Sequence, residues 1–249
     1  MRFTDRAVLI TGATRGIGLT TAQAFAREGA SVMLAGRDRD RAARAASAVA
    51  GSRFVVSDVR RATDCELAVR ETVDHFGRID VLVNNAGVIY RDRPVDVLTE
   101  AEWDETFDTN VKGAFLMSRA ALAGLRATRG TIVNVASYVG LVGFAGSAAY
   151  DASKAALVNL TRTMALDHAA EGVRVNCVCP GSVDTEMIHA AWEAFPDPAA
   201  ARERWERKHP MGRIASADEV ANAIVFLASP SASFITGVAL PVDGGITAA

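Results

Sequence analysis

Tyr150 and Lys154 are the pair in this 249-residue chain whose spacing most directly suggests acid–base chemistry. They are four positions apart, so on a helix they lie on one face in neighbouring turns. Lowering the pKa of a phenol from about 10 toward neutrality, by about three units, requires roughly 4 kcal/mol. An ammonium group about 4 Å away supplies on the order of 4 kcal/mol at an effective dielectric constant of 20. The pair predicts a proton-transferring tyrosine, although the same spacing also occurs in surface pairs on helices.

A glycine-rich segment with the sequence TGATRGIG, residues 11–18, follows the first apolar run of the chain. Glycines let a backbone approach a pyrophosphate closely, and a helix N-terminus offers free N–H groups and a positive dipole end. The spacing departs from G-x-G-x-x-G, so the interpretation depends on the position of the segment between a strand and a helix. That position predicts a phosphate-binding turn.

The elements that must position these residues alternate between short apolar runs and segments of helical periodicity. Strands are predicted at 7–11, 31–35, 54–56, 81–83, 131–135, 173–178 and 238–242. This alternation predicts an α/β fold, a Rossmann-type doubly wound sheet of about seven parallel strands with helices on both faces. No linker divides the chain, so residues 1–249 are expected to form a single domain. An insertion at about 184–211 follows the sixth strand and is expected to cover the substrate as a lid.

The composition excludes several classes of protein. Hydrophobic residues make up 50% of the chain and charged residues 22%, which predicts a folded core rather than disorder. The net charge of −2 argues against a nucleic-acid binder. No apolar run of about 18 residues and no signal peptide is present, so we expect a cytoplasmic protein without a membrane partner. Cys177 and Cys179 lack further ligands nearby and are expected to pack as small apolar residues, with no catalytic metal.

Taken together, the motifs resemble those of the short-chain dehydrogenase/reductase family. The resemblance extends from Val8 to Gly245 and includes the turn at 11–18, the NNAG segment at 84–87, Asn110, Ser137, the Y-x-x-x-K segment at 150–154, Pro180-Gly181 and Thr185. It implies an NAD(P)-dependent oxidoreductase that interconverts a secondary alcohol and a ketone by hydride transfer. Such a protein acts on a small-molecule carbonyl or alcohol substrate.

The resemblance also implies a role for each site residue. Tyr150 transfers the proton and Ser137 orients the substrate. Lys154 binds the nicotinamide ribose and lowers the pKa of Tyr150, while Asn110 holds a water that links Lys154 to solvent. The implied cofactor contacts are Gly12, Thr14, Arg15, Gly16, Ile17, Gly18, Arg37, Asp58, Val59, Asn85, Ala86, Gly87, Tyr150, Lys154, Pro180, Gly181, Val183 and Thr185.

The end of the second strand bears on the choice of nicotinamide cofactor. The position at which the family keeps an acid that selects NAD is Gly36 here, and Arg37 follows it. Arg15 and Arg37 occupy family positions for a 2′-phosphate, which suits a planar guanidinium. These residues favour NADP(H), and Asp38 leaves NAD(H) possible.

The loops after the fourth to sixth strands are expected to form the substrate site. Its predicted contacts are Ser137, Val139, Phe144, Tyr150, Ile188 and Trp192, which suit a mainly apolar carbonyl compound. Trp192 and Trp205 could instead only pack the lid onto the body of the protein. An alternative function is 3-oxoacyl-carrier-protein reductase. Glu171 stands where such members tend to carry a basic residue, with Arg126 and Arg129 as a partial basic patch.

Two further hypotheses concern function and assembly. A regulator that senses NADP without turnover is an alternative of another class, although it would not need the Tyr150 and Lys154 pair. The segments 102–125 and 148–169 are long and rich in alanine. The family resemblance implies that they pair between subunits, so a homotetramer is expected.

Overall fold

A parallel sheet lies at the centre of the protein. The structure is a computed structural model that describes residues 1–248, and within them the sheet has seven strands in the order β3-β2-β1-β4-β5-β6-β7. The strands are β1 (Ala7–Thr11), β2 (Ser31–Gly36), β3 (Ser52–Val56), β4 (Val81–Asn84), β5 (Thr131–Val135), β6 (Arg174–Pro180) and β7 (Ala239–Val242). All six pairings are parallel. The order reverses between β1 and β4, and open α/β sheets bind ligands at such a switch point.

Helices cover both faces of this sheet. They are α1 (Gly16–Arg27), α2 (Arg39–Ser47), α3 (Ala62–Phe76), α4 (Glu100–Phe107), α5 (Gly113–Thr128), α6 (Ala148–His168), α7 (Glu186–Glu193), α8 (Pro198–Glu206) and α9 (Ala217–Ala228). Successive side chains of a strand point to opposite faces. In β1, Val8 and Ile10 therefore pack with α1 and α9, whereas Leu9 packs with α3 and α5. This two-sided burial explains why β1 reads as a continuous apolar run.

The predicted fold class is confirmed, and the strand boundaries agree within two residues. The main difference is in the segment 102–125, which is not one regular helix. A π-helical turn, Asp108–Lys112, separates α4 from α5. Such a turn adds a residue to the helical ladder, so hydrophobic periodicity alone does not reveal it, and it often marks a functional position.

The segment 184–211 folds into two short helices, α7 and α8. The carboxylate of Asp197 accepts hydrogen bonds of 3.0 Å from the backbone N–H groups of Ala199 and Ala200, and Pro198 occupies the first turn of α8. These are strong helix-start features. A small hydrophobic cluster holds the two helices together.

Candidate active site

A cleft opens at the carboxyl ends of the strands, beside the switch point of the sheet. It is lined by the glycine turn, the ends of β2 to β6, the first turns of α6 and the beginning of α7. Every site residue predicted from the sequence lines this cleft except two, Asn110 and Trp192. The cleft is therefore the candidate active site.

The glycine turn that follows β1 has a backbone conformation that side chains at Gly12 and Gly18 would disrupt. Gly12 has a φ of +61°, and a Cβ atom there would lie 2.9 Å from the Cα of Ala86. At Gly18 a Cβ atom would lie 2.5 Å from both the Gly12 carbonyl oxygen and the Asn85 amide nitrogen. Glycine is therefore required for this close packing, and the turn is held against the segment that follows β4.

Thr11 and Asn85 connect that turn to β4. The hydroxyl of Thr11 accepts hydrogen bonds of 3.0 Å from the backbone N–H groups of Asn85 and Ala86. The Asn85 amide donates in return to the carbonyl oxygens of Thr11 and Gly12, at 2.9 and 3.0 Å. Asn85 thus positions the turn. Thr11 belongs to the predicted turn at 11–18 but not to the predicted contacts, and its position at the end of β1 is the sequence signal for this role.

The N-terminus of α1 is free to bind an anion. Arg15 occupies the N-cap position without a capping side-chain hydrogen bond, and the first turn contains no acidic residue. The first N–H groups of a helix have no partner within the helix, and they carry the positive end of its dipole. These donors, together with the backbone at Gly12, which a ligand can approach because no side chain intervenes, fit the diphosphate of a dinucleotide.

Arginine side chains dominate the edge of the cleft next to β2. Arg15, Arg37 and Arg41 line this edge. Asp38 caps α2 by accepting a hydrogen bond of 2.9 Å from the backbone N–H of Arg41, and this bond lowers the pKa of Asp38. At Gly36, a Cβ atom would lie 2.6 Å from the methyl carbon of Thr14. The carboxylate nearest the predicted ribose site is therefore already engaged by a helix terminus.

Asp58 and Val59 line the cleft at the end of β3, as expected. Arg60 binds the Asp58 carboxylate through its side chain, with a shortest contact of 2.6 Å, and this contact lowers the pKa of Asp58. Any hydrogen bond from an adenine to Asp58 would share that carboxylate with Arg60.

Lys154 is buried beneath the cleft. Its ammonium group donates a hydrogen bond of 2.8 Å to the carbonyl oxygen of Val135, the last residue of β5. It also lies over the ring of Tyr150, 5.4 Å from the ring centroid. Burial lowers the pKa of Lys154 to about 8. The i and i+4 positions on α6 thus bring Lys154 and Tyr150 to one place, as their spacing predicts.

The environment of the Tyr150 phenol raises its pKa, whereas the sequence predicts a lowered pKa. Burial has the largest effect on the pKa of Tyr150 and raises it. The charge of Arg91 and the neighbouring Ser137 side chain act in the opposite direction. The charge of Arg91 is the larger of these two opposing effects. Arg91 lies on the loop after β4, which is expected from the sequence to line the substrate site, but no sequence signal indicates that its charge acts on Tyr150.

Asn110 lies behind the cleft rather than at its surface. The π-helical turn directs its side chain toward the loop that follows β4. There its Oδ1 accepts a hydrogen bond of 2.8 Å from the Val88 N–H, and its amide donates to the Val88 carbonyl and to Ser153 Oγ, both at 3.0 Å. Asn110 therefore fixes this loop. The water that the family resemblance assigns to Asn110 stays a prediction.

Ser137, Val139, Phe144 and Ile188 line the substrate end of the cleft, as expected. Trp192 does not: its side chain is buried in the cluster that joins α7 and α8, with Ala201 and Ile214. Ile188 and Trp192 are four positions apart on one face of α7 and belong to the same cluster, but Ile188, one turn nearer the start of the helix, also lines the cleft, whereas Trp192 does not. Trp205 lines the cleft instead, at 6.3 Å from the ring of Phe144.

Across residues 1–248, no group of three or more His, Cys, Asp or Glu side chains could hold a metal ion. Cys177 and Cys179 are buried on β6 and pack with Leu157 and Val158. None of the helices within this part of the chain is both long enough and apolar enough to cross a bilayer.

A doubly wound sheet with a free glycine turn at its switch point defines a dinucleotide-binding protein. A family model described as enoyl-(acyl carrier protein) reductase matches residues 12–247. The chain is 41% identical to 2-(S)-hydroxypropyl-CoM dehydrogenase 3 of Xanthobacter autotrophicus, covering 99% of this chain and 98% of the relative. It is also 41% identical to meso-2,3-butanediol dehydrogenase of Serratia marcescens, covering 100% and 97%. The crystal structure of levodione reductase superposes with a TM-score of 0.96 at 35% identity, covering all of both chains.

The chain belongs to the short-chain dehydrogenase/reductase family. It is therefore an oxidoreductase that acts on CH–OH groups with a nicotinamide cofactor.

Proposed function

We propose that this protein is an NADP(H)-dependent dehydrogenase/reductase that interconverts a small secondary alcohol and its ketone, with Tyr150 as the general acid and base. The observation that carries the proposal is the convergence of Ser137, Tyr150 and Lys154 on one cleft whose other end is the free glycine turn. A binding protein without catalysis would not need a phenol and an ammonium group beside the reacting position.

The side chains around the reacting carbon have separate roles in proton transfer. In the direction of reduction, the Tyr150 phenol donates its proton to the carbonyl oxygen, and the Ser137 hydroxyl donates a hydrogen bond that orients that oxygen. The nearby charges of Lys154 and Arg91 stabilise the phenolate that remains. In the direction of oxidation, the phenolate accepts the proton of the alcohol.

The nicotinamide cofactor, when bound, supplies or accepts the hydride. The glycine turn and the free N–H groups of α1 would hold its diphosphate. Lys154, at the base of the cleft, would hold the nicotinamide ribose, and Val183 and Thr185 would contact the nicotinamide end. Helices α7 and α8, from the 184–211 segment, would cover the substrate and exclude water.

The direct test is NADPH oxidation in the presence of a panel of small ketones. We expect turnover with at least one cyclic or branched ketone, and turnover of the matching alcohol with NADP⁺. Tight NADPH binding without turnover of any compound would favour the NADP-sensing regulator instead. The carrier-protein alternative has weaker support, because Arg126 forms an ion pair of 2.8 Å with Glu171 that offsets its basic patch.

The preference for NADP(H) is supported by charge at the edge next to β2. Arg15, Arg37 and Arg41 line this edge, whereas the Asp38 carboxylate caps α2. A guanidinium fork matches the oxygens of a 2′-phosphate and forms charge-assisted hydrogen bonds with it. A neutral ribose hydroxyl would gain much less from these cations.

Arg37→Ala is expected to raise the KM for NADPH by about tenfold, equivalent to roughly 1.4 kcal/mol, and to leave the KM for NADH unchanged. The matched control is Arg39→Ala, which removes an equally exposed arginine that does not line the cleft. Steady-state kinetics with both cofactors measure the effect. An equal change for NADPH and NADH, or the same change in the Arg39 variant, would contradict the assignment.

We also propose a homotetramer. Trp103 on α4 and Phe115 on α5 are about two-fifths exposed, and Leu166 on α6 is 82% exposed, so the helices expected to pair between subunits carry uncovered apolar side chains. Static light scattering at micromolar concentration is expected to give four times the chain mass of 26.3 kDa. A monomer mass at that concentration would contradict the proposal.

A further inference from the structure

Two cationic side chains, Arg91 and Lys208, lie on one aromatic wall at the substrate end of the cleft. The guanidinium carbon of Arg91 is 5.1 Å from the centroid of the Trp205 ring. The Lys208 ammonium is 4.7 Å from that ring and 4.3 Å from the ring of Phe144. Both rings line the cleft, as does Arg91, whereas Lys208 contacts the rings without lining the cleft itself. Contacts of this kind stabilise a cation by about 0.5–2 kcal/mol and hold it in place.

Neither cation is paired with an anion. Across residues 1–248, no carboxylate forms an ion pair with Arg91 or Lys208, and neither side chain donates a hydrogen bond. Asp151 contributes a negative charge to this end of the cleft, but its two oxygens already accept hydrogen bonds. One comes from the Phe144 N–H at 2.8 Å and the other from the Ser147 hydroxyl at 2.7 Å.

The other carboxylates on this side of the molecule are also engaged or directed outward. On α8, Glu206 pairs with Arg202 and Glu203 pairs with Arg207. Asp92, the residue after Arg91, is exposed. The charge of Asp92 raises the pKa of Arg91 without forming an ion pair with it. The aromatic wall therefore keeps positive charge that no carboxylate of the protein pairs with.

This arrangement costs free energy in the absence of a ligand. Arg91 and Lys208 are half-buried, and burial lowers the pKa of each. The charges of Arg204 and Arg91 lower the pKa of Lys208 further, which means that these cations repel the Lys208 ammonium. A buried charge is stable when an opposite charge with good geometry compensates it. A ligand anion beside Arg91 in the cleft would supply that compensation.

We propose that the substrate carries a carboxylate, which Arg91 binds with its guanidinium fork and Lys208 supports from the same wall. Arg91, Ser137 and Tyr150 line the same cleft. A carboxylate bound by Arg91 and a carbonyl held by Ser137 and Tyr150 would therefore belong to one small molecule, a hydroxy acid or its keto acid. The inference depends on the proposed function for the reacting centre, whereas the carboxylate site itself can be tested without turnover.

Isothermal titration calorimetry with two unreactive probes, cyclohexanecarboxylate and the neutral cyclohexanecarboxamide, tests the site with and without NADP⁺. The carboxylate is expected to bind at least about tenfold more tightly than the carboxamide, as charge-assisted hydrogen bonds require. Arg91→Met should abolish this preference and Lys208→Met should reduce it. Arg207→Met, which removes an exposed arginine near the end of α8, should leave it intact. Melting temperatures of the variants identify any loss of folding.

Equal binding of the two probes, no binding of either, or a preference that survives in Arg91→Met would overturn the proposal. These outcomes are separate from a failure of the proposed function. If the protein prefers the carboxylate but turns over no ketone, the carboxylate site is supported and the proposed function is wrong. If the protein reduces neutral ketones without this preference, the proposed function is supported and the carboxylate site is wrong.

Discussion

Tyr150→Phe is expected to lower kcat for ketone reduction by about 10²- to 10⁴-fold, the range that a positioned general acid contributes. The substitution removes only the hydroxyl, and the ring stays above the Lys154 ammonium. NADPH binding should therefore change little, since the Tyr150 ring remains and most of the predicted cofactor contacts, the phosphate-binding turn among them, are untouched. Stopped-flow kinetics and the Kd for NADPH separate the two effects.

Tyr138→Phe is the matched control for this substitution. Tyr138 is a second phenol that lines the same cleft, and burial raises its pKa to about 12. Tyr138 precedes α6 and does not form the i, i+4 pair with Lys154 that Tyr150 forms. The Tyr138 variant should keep most of the activity. A Tyr150→Phe variant as active as the Tyr138 variant would contradict the assignment of the proton donor.

Gly12→Ala is expected to weaken NADPH binding by at least about 30-fold. A side chain at a left-handed φ costs roughly 1–2 kcal/mol, and forced overpacking costs about 1–3 kcal/mol more. Here the new methyl carbon would lie 2.9 Å from the backbone of Ala86, which is not a flexible neighbour. The turn would have to move, and its phosphate-binding N–H groups would move with it. Calorimetric titration with NADPH measures the loss.

Gly77→Ala is the control that isolates the clash from the backbone strain. Gly77 also has a positive φ, +75°, but an added Cβ atom there would have no neighbour within 4 Å. It caps the C-terminus of α3, far along the chain from the glycine turn. This variant should lose about 1 kcal/mol of stability and bind NADPH normally. Equal NADPH binding by the two variants would show that the turn does not hold the cofactor.

The sequence predicts the sheet well because its central strands, β1, β4, β5 and β6, are buried on both faces. The run from Ala7 to Thr11 has to be apolar at every position, and few other structures produce that pattern beside a glycine turn. The same reasoning places Tyr150 and Lys154, since both lie on one regular helix. Local periodicity is sufficient for these elements.

The features that the sequence does not reveal depend on contacts between distant segments. Trp192 lies in the small core between α7 and α8 because of how those two helices pack. Arg91 faces the Tyr150 phenol because the loop after β4 folds back, and Asn110 holds that loop from an unexpected π-helical turn. The spacing of residues within a single helix or strand does not indicate any of these contacts.

The most direct test of the central claim is the transfer of deuterium from NADPH labelled at C4 of the nicotinamide to a ketone. Wild-type protein is expected to place the label on the carbinol carbon of the product, and Tyr150→Phe should do so far more slowly at the same NADPH occupancy. If the wild-type protein binds NADPH tightly but transfers no label to any ketone, including keto acids, the proposed function is wrong. If transfer proceeds at an equal rate in both proteins, the role of Tyr150 is wrong.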